Sequence, residues 1–390
     1  MKFLVISNEF YPAIKPTSKM VYRILSLLST KYNAKFDVIS FSCDKKAIEV
    51  NDNIKNFHLS NYSSKDKLSN FWSFIRIFYK IFRKIYSLFF HYHFFDTNRF
   101  YRRGIKFLKS EKYDGIIAFS GYFAEHNAAF KLSKKKNIPL YLFYADPFYY
   151  NVSFSSVKKS TLNRIENDWL KQARKCFLPH NYFEKYIEHY KEYNQKMVKC
   201  ELPGFFDSYE LSIIKKCVID PKLIVYAGSF FYNWRRPDLF VKVALQLKEY
   251  TFLVLGKLDF EKFGIKEIPS NIKIVDRLDG NDYLKTIGSA CALFLEDNSF
   301  PEQIPYKAFE YVSSRKKIIY SSKNELSSTS VFLSKYPNKF FIYNDFNDFN
   351  SLDKWLQNRE GNYSDLNLNI YKEYTREYIV DILWKEILEV

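Results

Sequence analysis

Glycine is scarce in this chain, ten among 390 residues. None of the ten stands in the G-x-x-x-x-G-K-[ST] or G-x-G-x-x-G spacing that wraps a phosphate, and no G-x-S-x-G elbow presents a nucleophile. A D-x-D pair for a metal–diphosphate is missing, and the six histidines show no H-E-x-x-H spacing. A metal centre or a hydrolytic triad therefore has no positive support. The five cysteines (Cys43, Cys176, Cys200, Cys217, Cys291) are odd in number, far apart and without zinc spacing. They read as buried thiols in a reducing compartment. No uncharged stretch reaches the length of about 18 residues that a membrane span requires. The opening "MKFLVISNEFYPAIK" has too short an apolar run for a signal peptide, with Glu9 and Pro12 following it. A cytoplasmic protein is expected, one able to touch the inner face of a membrane.

What is present is apolar and basic. A hydrophobic fraction of 47% excludes a disordered chain, and 390 residues exceed the usual size of a single core, so two domains are expected. The net charge of +17 favours an anionic partner. Nucleic acid is not expected, because the basic residues are dispersed and no nucleic-acid module is visible.

Short apolar, β-branched runs alternate with helical patterns. The first series is 2–7, 36–42, 114–120, 140–145 and 175–179; the second is 222–228, 251–256, 272–278, 291–296 and 317–322. Near-continuous apolar runs mark strands buried on both faces. Two such series predict an α/β protein of two doubly wound, parallel-sheet (Rossmann-like) domains facing a central cleft. Pro203 and Gly204 break the pattern and set the boundary, giving domains 1–203 and 204–370. Residues 371–390 read as a C-terminal helix packing back on the first domain, with Tyr378, Ile379, Ile382, Leu383 and Ile387 at three-to-four spacing. Gly121, Gly228 and Gly256 each follow a predicted strand, where open α/β sheets bind ligands. Ordinary turns would account for any one of them.

Glu302 and Glu310 flank Pro305 in "SFPEQIPYKAFEYVSS" (299–314). Pro305 suits the first turn of a helix running to about Val312. That helix would direct its N-terminal N–H groups at the loop 297–303, where an anion such as a diphosphate could bind. Glu302 would lie in the loop and Glu310 about a turn and a half into the helix. The pair reads either as solvated charges near a helix start or as acceptors for the hydroxyls of a nucleotide sugar.

Glu–x(7)–Glu within E-x-I-P-x-K-x-x-E-Y-V resembles the C-terminal signature of GT-B retaining glycosyltransferases, specifically glycosyltransferase family 4 (group 1). The resemblance extends to 3–41, 113–148, "LPGFFD" at 202–207 and 224–247. It implies that Glu310 holds the donor ribose hydroxyls and Glu302 lies by the donor sugar. Backbone around Phe300, Pro301, Gln303 and Ile304, with Lys307, would lie near the diphosphate. Arg235, with Arg236 beside it, would neutralise the leaving group, and Gly228, Ser229 and Arg277 would complete the nucleotide site. Asp146, His126, Lys15 and Ser18 would face the acceptor. The family implies no metal and no cofactor beyond the nucleotide-sugar co-substrate, UDP- or GDP-linked ahead of ADP-linked. This chain departs from the family at Ser229, at Ala145, at Lys15-Pro16-Thr17-Ser18 and at Arg315 and Lys317, which replace a common glycine and proline.

Residues 71–90, "FWSFIRIFYKIFRKIYSLFF", would form an amphipathic helix with Arg76, Lys80, Arg83 and Lys84 on one stripe. The basic aromatic segment 71–95 reads as an anionic-membrane contact or as a core helix with a solvated stripe. The expectation is a retaining hexosyl- or related glycosyltransferase acting on a glycan or lipid-linked acceptor, in bacterial surface polysaccharide synthesis. The alternatives are a non-catalytic GT-B-like subunit at the membrane and a GT-B-fold nucleotide-sugar epimerase.

Overall fold

The computed structural model describes residues 1–11, 16–42, 48–60, 94–119, 123–151, 154, 157–231, 235–265, 269–278, 280–323, 325–358 and 369–389. The chain divides into two units, Met1–Pro203 with Arg376–Val390, and Gly204–Thr375.

The first unit holds strands β1 (Lys2–Ser7), β2 (Lys35–Ser42), β3 (Ile48–Asn51), β4 (Ile54–Ser60), β5 (Gly115–Phe119), β6 (Leu140–Phe143), β7 (Lys175–Leu178) and β8 (Met197–Lys199). Their order is β3-β4-β2-β1-β5-β6-β7-β8, every pair parallel except β3/β4. In register, Val5 stands between Val38 and Ile117, all three at or near full burial. Helices α1 (Pro16–Tyr32), α2 (Phe94–Ser110), α3 (Ala124–Lys136), α4 (Lys159–Gln172) and α5 (His180–His189) connect the strands. Burial on both faces explains why the inner strands read as unbroken apolar runs. β3, β4 and β8, which those runs do not reveal, all lie at or next to a sheet edge.

The helix Arg376–Leu388 belongs to this unit. Trp384 stacks on Tyr32 with ring centroids 4.8 Å apart, Asp381 accepts from Tyr32 Oη at 2.5 Å, and Lys175 pairs with Glu386 at 2.5 Å. Its buried stripe is Ile379, Val380, Leu383 and Ile387, whereas Tyr378 is 38% exposed. Ile379, Leu383 and Ile387 are in the stripe as expected, Ile382 is half-buried at its margin, and Val380 rather than Tyr378 completes it. The amphipathic segment 71–95 lies outside the described residues, apart from the backbone of Phe94 and Phe95 at the start of α2.

The second unit holds β9 (Asp220–Tyr226), β10 (Thr251–Leu255), β11 (Ile272–Val275), β12 (Ala290–Glu296), β13 (Lys317–Ser321) and β14 (Lys339–Ile342), all parallel, in the order β11-β10-β9-β12-β13-β14. Helices α6 (Ser208–Lys215), α7 (Asp238–Gln246), α8 (Gly280–Ser289), α9 (Tyr306–Ser314), α10 (Ser328–Ser334) and α11 (Phe349–Gln357) accompany it. Ile224, Phe240, Phe252, Val254, Phe294 and Ile319 centre one of its cores. Gly204 opens the unit, and its glycine is sterically required: a Cβ there would lie 2.3 Å from Phe309 Cβ.

Among the described residues no helix is long and apolar enough to cross a membrane, and no group of three or more His, Cys, Asp or Glu could hold a metal ion.

Candidate functional site

In the second unit the chain runs from β9 outward to β10 and β11, then returns to place β12 on the opposite side of β9. The carboxyl ends of β9 and β12 therefore form a topological switch point, where the loops part and leave a crevice. Several of the expected donor-side residues gather there.

After β9 the chain reaches Gly228 and Ser229. A Cβ on Gly228 would sit 3.1 Å from the Tyr226 hydroxyl and 3.2 Å from Lys307 Nζ, so the missing side chain leaves room for that ammonium beside the backbone. Gly256, just past β10, has φ +155° and backs onto the same turn; a Cβ there would lie 2.2 Å from Gly228 O. Ser229 Oγ accepts from Lys257 N at 3.0 Å, and Phe230 N donates to Lys257 O at 3.0 Å. A loop closed by reciprocal Phe231–Arg235 backbone bonds of 2.9 Å then brings Arg235 across the switch point. Its Nε donates to Asn298 Oδ1 at 2.8 Å, in the loop after β12. Arg236 turns aside, to an exposed ion pair with Asp238 at 2.7 Å.

The loop after β12 is fastened at its base. Asp297 is buried, and its carboxylate accepts from Tyr320 Oη (2.5 Å), Thr329 Oγ1 (2.8 Å), Ser322 Oγ (3.0 Å) and Asn298 N (2.9 Å). Four donors offset the cost of burying a charge and fix where the loop leaves the sheet. Asn298 Nδ2 reaches Gln303 O and Oε1, Gln303 N returns to Phe300 O, and Ser328 N donates to Pro301 O at 2.7 Å. Phe300, Pro301, Glu302, Gln303 and Ile304 are consequently a held turn, each partly exposed. Neighbouring Glu296 has an opposite environment. Burial pushes its carboxyl well above the usual carboxylate range, with the Asp297 charge adding to the effect, and its Oε2 has no partner among the described residues.

α9 starts at Tyr306, one residue later than expected. Pro305 occupies the N-cap with ψ 132°, which is extended, and supplies no side-chain acceptor. The helix ends at Ser314, with Arg315 in the left-handed conformation at φ 62°. Glu310 is 4% exposed, and its Oε2 accepts from Tyr283 Oη of α8 at 2.7 Å. Next to it, Tyr311 Oη accepts from Ala227 N at the end of β9 at 2.9 Å, tying α9 to the strand. Arg277 is exposed and follows the edge strand β11, two strands from the switch point.

In the first unit the expected acceptor-side residues differ in their surroundings. His126 is fully buried on α3, packed edge-on to Tyr144 and Trp169, with Nε2 3.2 Å from Phe143 O. Burial pulls its pKa down to about 3, so the ring is a neutral core group that touches protein on every side. Asp146 is half-buried in the loop after β6. Ser18, at the start of α1, is buried with its hydroxyl unpartnered among the described residues. Lys15 lies outside the described residues.

Asp297, Asn298, Tyr283 and Tyr311 are the site residues that the sequence reading did not single out. Asp-Asn directly after a predicted strand is a turn signal that could have pointed to the first two. The two tyrosines carry no such local mark.

No protein-family model matches the chain, and no curated protein matches it by sequence. Solved structures do match over almost its full length. A glycosyltransferase from Rickettsia africae is 12% identical, with TM-score 0.61 over 99% of this chain and 98% of that one. The lipopolysaccharide outer core galactosyltransferase WaaB is 14% identical, with TM-score 0.55 over 99% of each chain. The UDP-GlcNAc 2-epimerase of Neisseria meningitidis, solved with UDP-GlcNAc bound, is 12% identical, with TM-score 0.55 over the whole of both chains. At these identities the likeness is one of fold: two parallel-sheet α/β domains of the GT-B type.

Proposed function

We propose that this chain is a glycosyltransferase that moves a sugar from a nucleotide-sugar donor to a glycan or lipid-linked acceptor with retention of anomeric configuration. The surface-polysaccharide role and a peripheral place at the membrane belong to the same proposal. The observation that carries it is the meeting of Arg235, Lys307 and the held turn 300–304 at the β9/β12 switch point, beside the start of α9.

The chemistry follows from charge. Breaking a sugar–diphosphate bond puts negative charge on the leaving oxygen, and cations fixed in advance stabilise that charge more in the transition state than in the ground state. Arg235 is held by Asn298, so its guanidinium needs little reorganisation as charge develops. Lys307 and the first turn of α9 add positive potential on the other flank. Glu310, oriented by the Tyr283 hydroxyl, is the acceptor for ribose hydroxyls, and Glu302 contacts the donor sugar. Asp146 and Ser18 remain on the acceptor side. Arg236, committed to Asp238, contributes long-range potential rather than a direct contact, and Arg277 serves the nucleotide only at its periphery.

Liquid chromatography with mass detection should find nucleoside diphosphate released from one UDP- or GDP-sugar, faster when an acceptor extract is added, and Arg235→Ala should slow it at least tenfold. A second reading, nucleotide-sugar epimerisation, is favoured by the match to structures of UDP-GlcNAc 2-epimerases. It predicts an isomerised donor without acceptor. An intact donor under all these conditions would refute both and leave the non-catalytic subunit.

A further inference from the structure

At the opposite end of the second unit's sheet, beneath the starts of β9, β12 and β13, is a cavity of about 840 Å³. That volume lies within the range of small-molecule sites. Leu211 and Ile214 of α6, Ile219 and Leu356 of α11 give it an apolar wall. Among the described residues its charged lining is of one sign, with five cations and no acid.

These cations are not equivalent. Lys317 spends its ammonium on the carbonyls of Trp355 (2.5 Å), Leu356 (3.0 Å) and Asn358 (2.6 Å), closing the C-terminus of α11. Lys222 pairs with Glu249 at 2.7 Å. Lys316 has one side-chain acceptor among the described residues, Gly288 O at the end of α8, so two of its three N–H directions remain. Burial pulls its pKa down to about 8. Lys215 is exposed with no partner among the described residues. Arg315 holds φ 62°, a conformation that glycine adopts freely and arginine only under strain. A helix end that glycine would close without strain thus keeps a guanidinium on the cavity wall.

We propose that this cavity binds a small amphipathic anion, its charged head taken by Lys316, Arg315 and Lys215 and its apolar body laid against Leu211, Ile214 and Leu356. The site shares no residue with the switch-point crevice, so its occupancy and donor binding can be tested separately.

Two thiols report on it. Cys217 and Cys291 line the cavity and are half-buried, which corrects the expectation that the cysteines are all buried; Cys176 and Cys200 are buried, and Cys43 lies outside the described residues. The full chain is titrated calorimetrically with decyl phosphate below its micelle concentration, and with inorganic phosphate and decanol as its two halves. Alkylation of Cys217 by iodoacetamide is followed in parallel by peptide mass spectrometry. Saturable decyl phosphate binding is expected, with each half at least tenfold weaker and Cys217 alkylation slowed at least fivefold. Arg315→Gly, which suits the backbone at that φ and should fold, combined with Lys215→Gln should weaken binding at least tenfold. Lys316→Met should do the same where it folds. Absence of saturable binding, equal binding of inorganic phosphate, or affinity and alkylation unchanged in the Arg315→Gly/Lys215→Gln variant would overturn the proposal.

Discussion

Each unit uses one buried carboxylate to fasten a loop that leaves the carboxyl end of a strand, and the two do so differently. In the second unit Asp297 is part of the loop it holds. It receives three hydroxyls and a backbone N–H, and the turn it fixes carries Glu302 and the partner of Arg235. In the first unit Glu166 reaches in from α4, fully buried, to accept from Tyr190 Oη (2.8 Å), Tyr186 Oη (3.0 Å) and Tyr149 N (3.2 Å), while Tyr186 Oη accepts from Phe148 N. It pins the loop containing Asp146 from behind. Its environment is aromatic, and burial raises its pKa to about 7 despite those donors. One carboxylate fixes a loop rich in polar and cationic groups; the other is embedded in a tyrosine core.

Removing the first pin should have the largest effect. Asp297→Ala leaves three buried hydroxyls and a loop N–H without their acceptor and should cost roughly 3 kcal/mol or more, read as a lowered urea midpoint. Any nucleotide affinity should fall with it. An unchanged midpoint would mean that water replaces the carboxylate and that the loop is not held from this point.

The second pin makes a claim about pH. Glu166 has a folded pKa above its ordinary value of 4.5, so the native state keeps a proton that the unfolded chain releases. Its contribution is fully present below about pH 4.5 and is lost as pH rises toward 7. His126, lowered to about 3, works in the opposite sense and costs stability as pH falls below 6.5. Between pH 4.5 and 6.5 the two slopes oppose each other. Glu166→Gln should remove one of them, changing the pH dependence by about 3 kcal/mol over that rise and leaving stability that increases with pH. Thermal midpoints from pH 4.5 to 8 check it, and parallel profiles for variant and wild type would refute it.

Smaller effects sharpen the contrast. Tyr283→Phe removes the hydroxyl that orients Glu310 and should weaken nucleotide binding by about 1 kcal/mol, less than loss of Glu310 itself. Arg236→Ala breaks an exposed ion pair and should change the unfolding free energy by less than about 1 kcal/mol. A large loss in that variant would mean that Arg236 does more than pair with Asp238.

The fold was legible because strands buried on both faces cannot avoid long apolar runs. All ten expected strands are present, while β3, β4, β8 and β14 escaped because strands at or next to a sheet edge need no such runs. In the candidate site, the residues with a local signature were visible: the Glu302–Glu310 spacing, Pro305, Gly228 and the Arg235–Arg236 pair. Their partners were not. Tyr283 reaches Glu310 from another helix, and Tyr311 meets Ala227 across 84 positions, so no local pattern records either contact. Nor could the sequence show that Arg236 turns to Asp238, or that His126 is enclosed by Tyr144 and Trp169, since direction and burial are set by the folded chain.

The central claim is that the β9/β12 crevice holds a nucleotide sugar through Glu310. The direct measurement is isothermal titration of UDP, GDP, ADP and their sugars into the wild type and Glu310→Ala, without added metal. Affinity for one base, weakened by ~1.5–3 kcal/mol in a folded variant, is the predicted result. Equal affinity in both proteins, or no binding of any nucleotide, would contradict it.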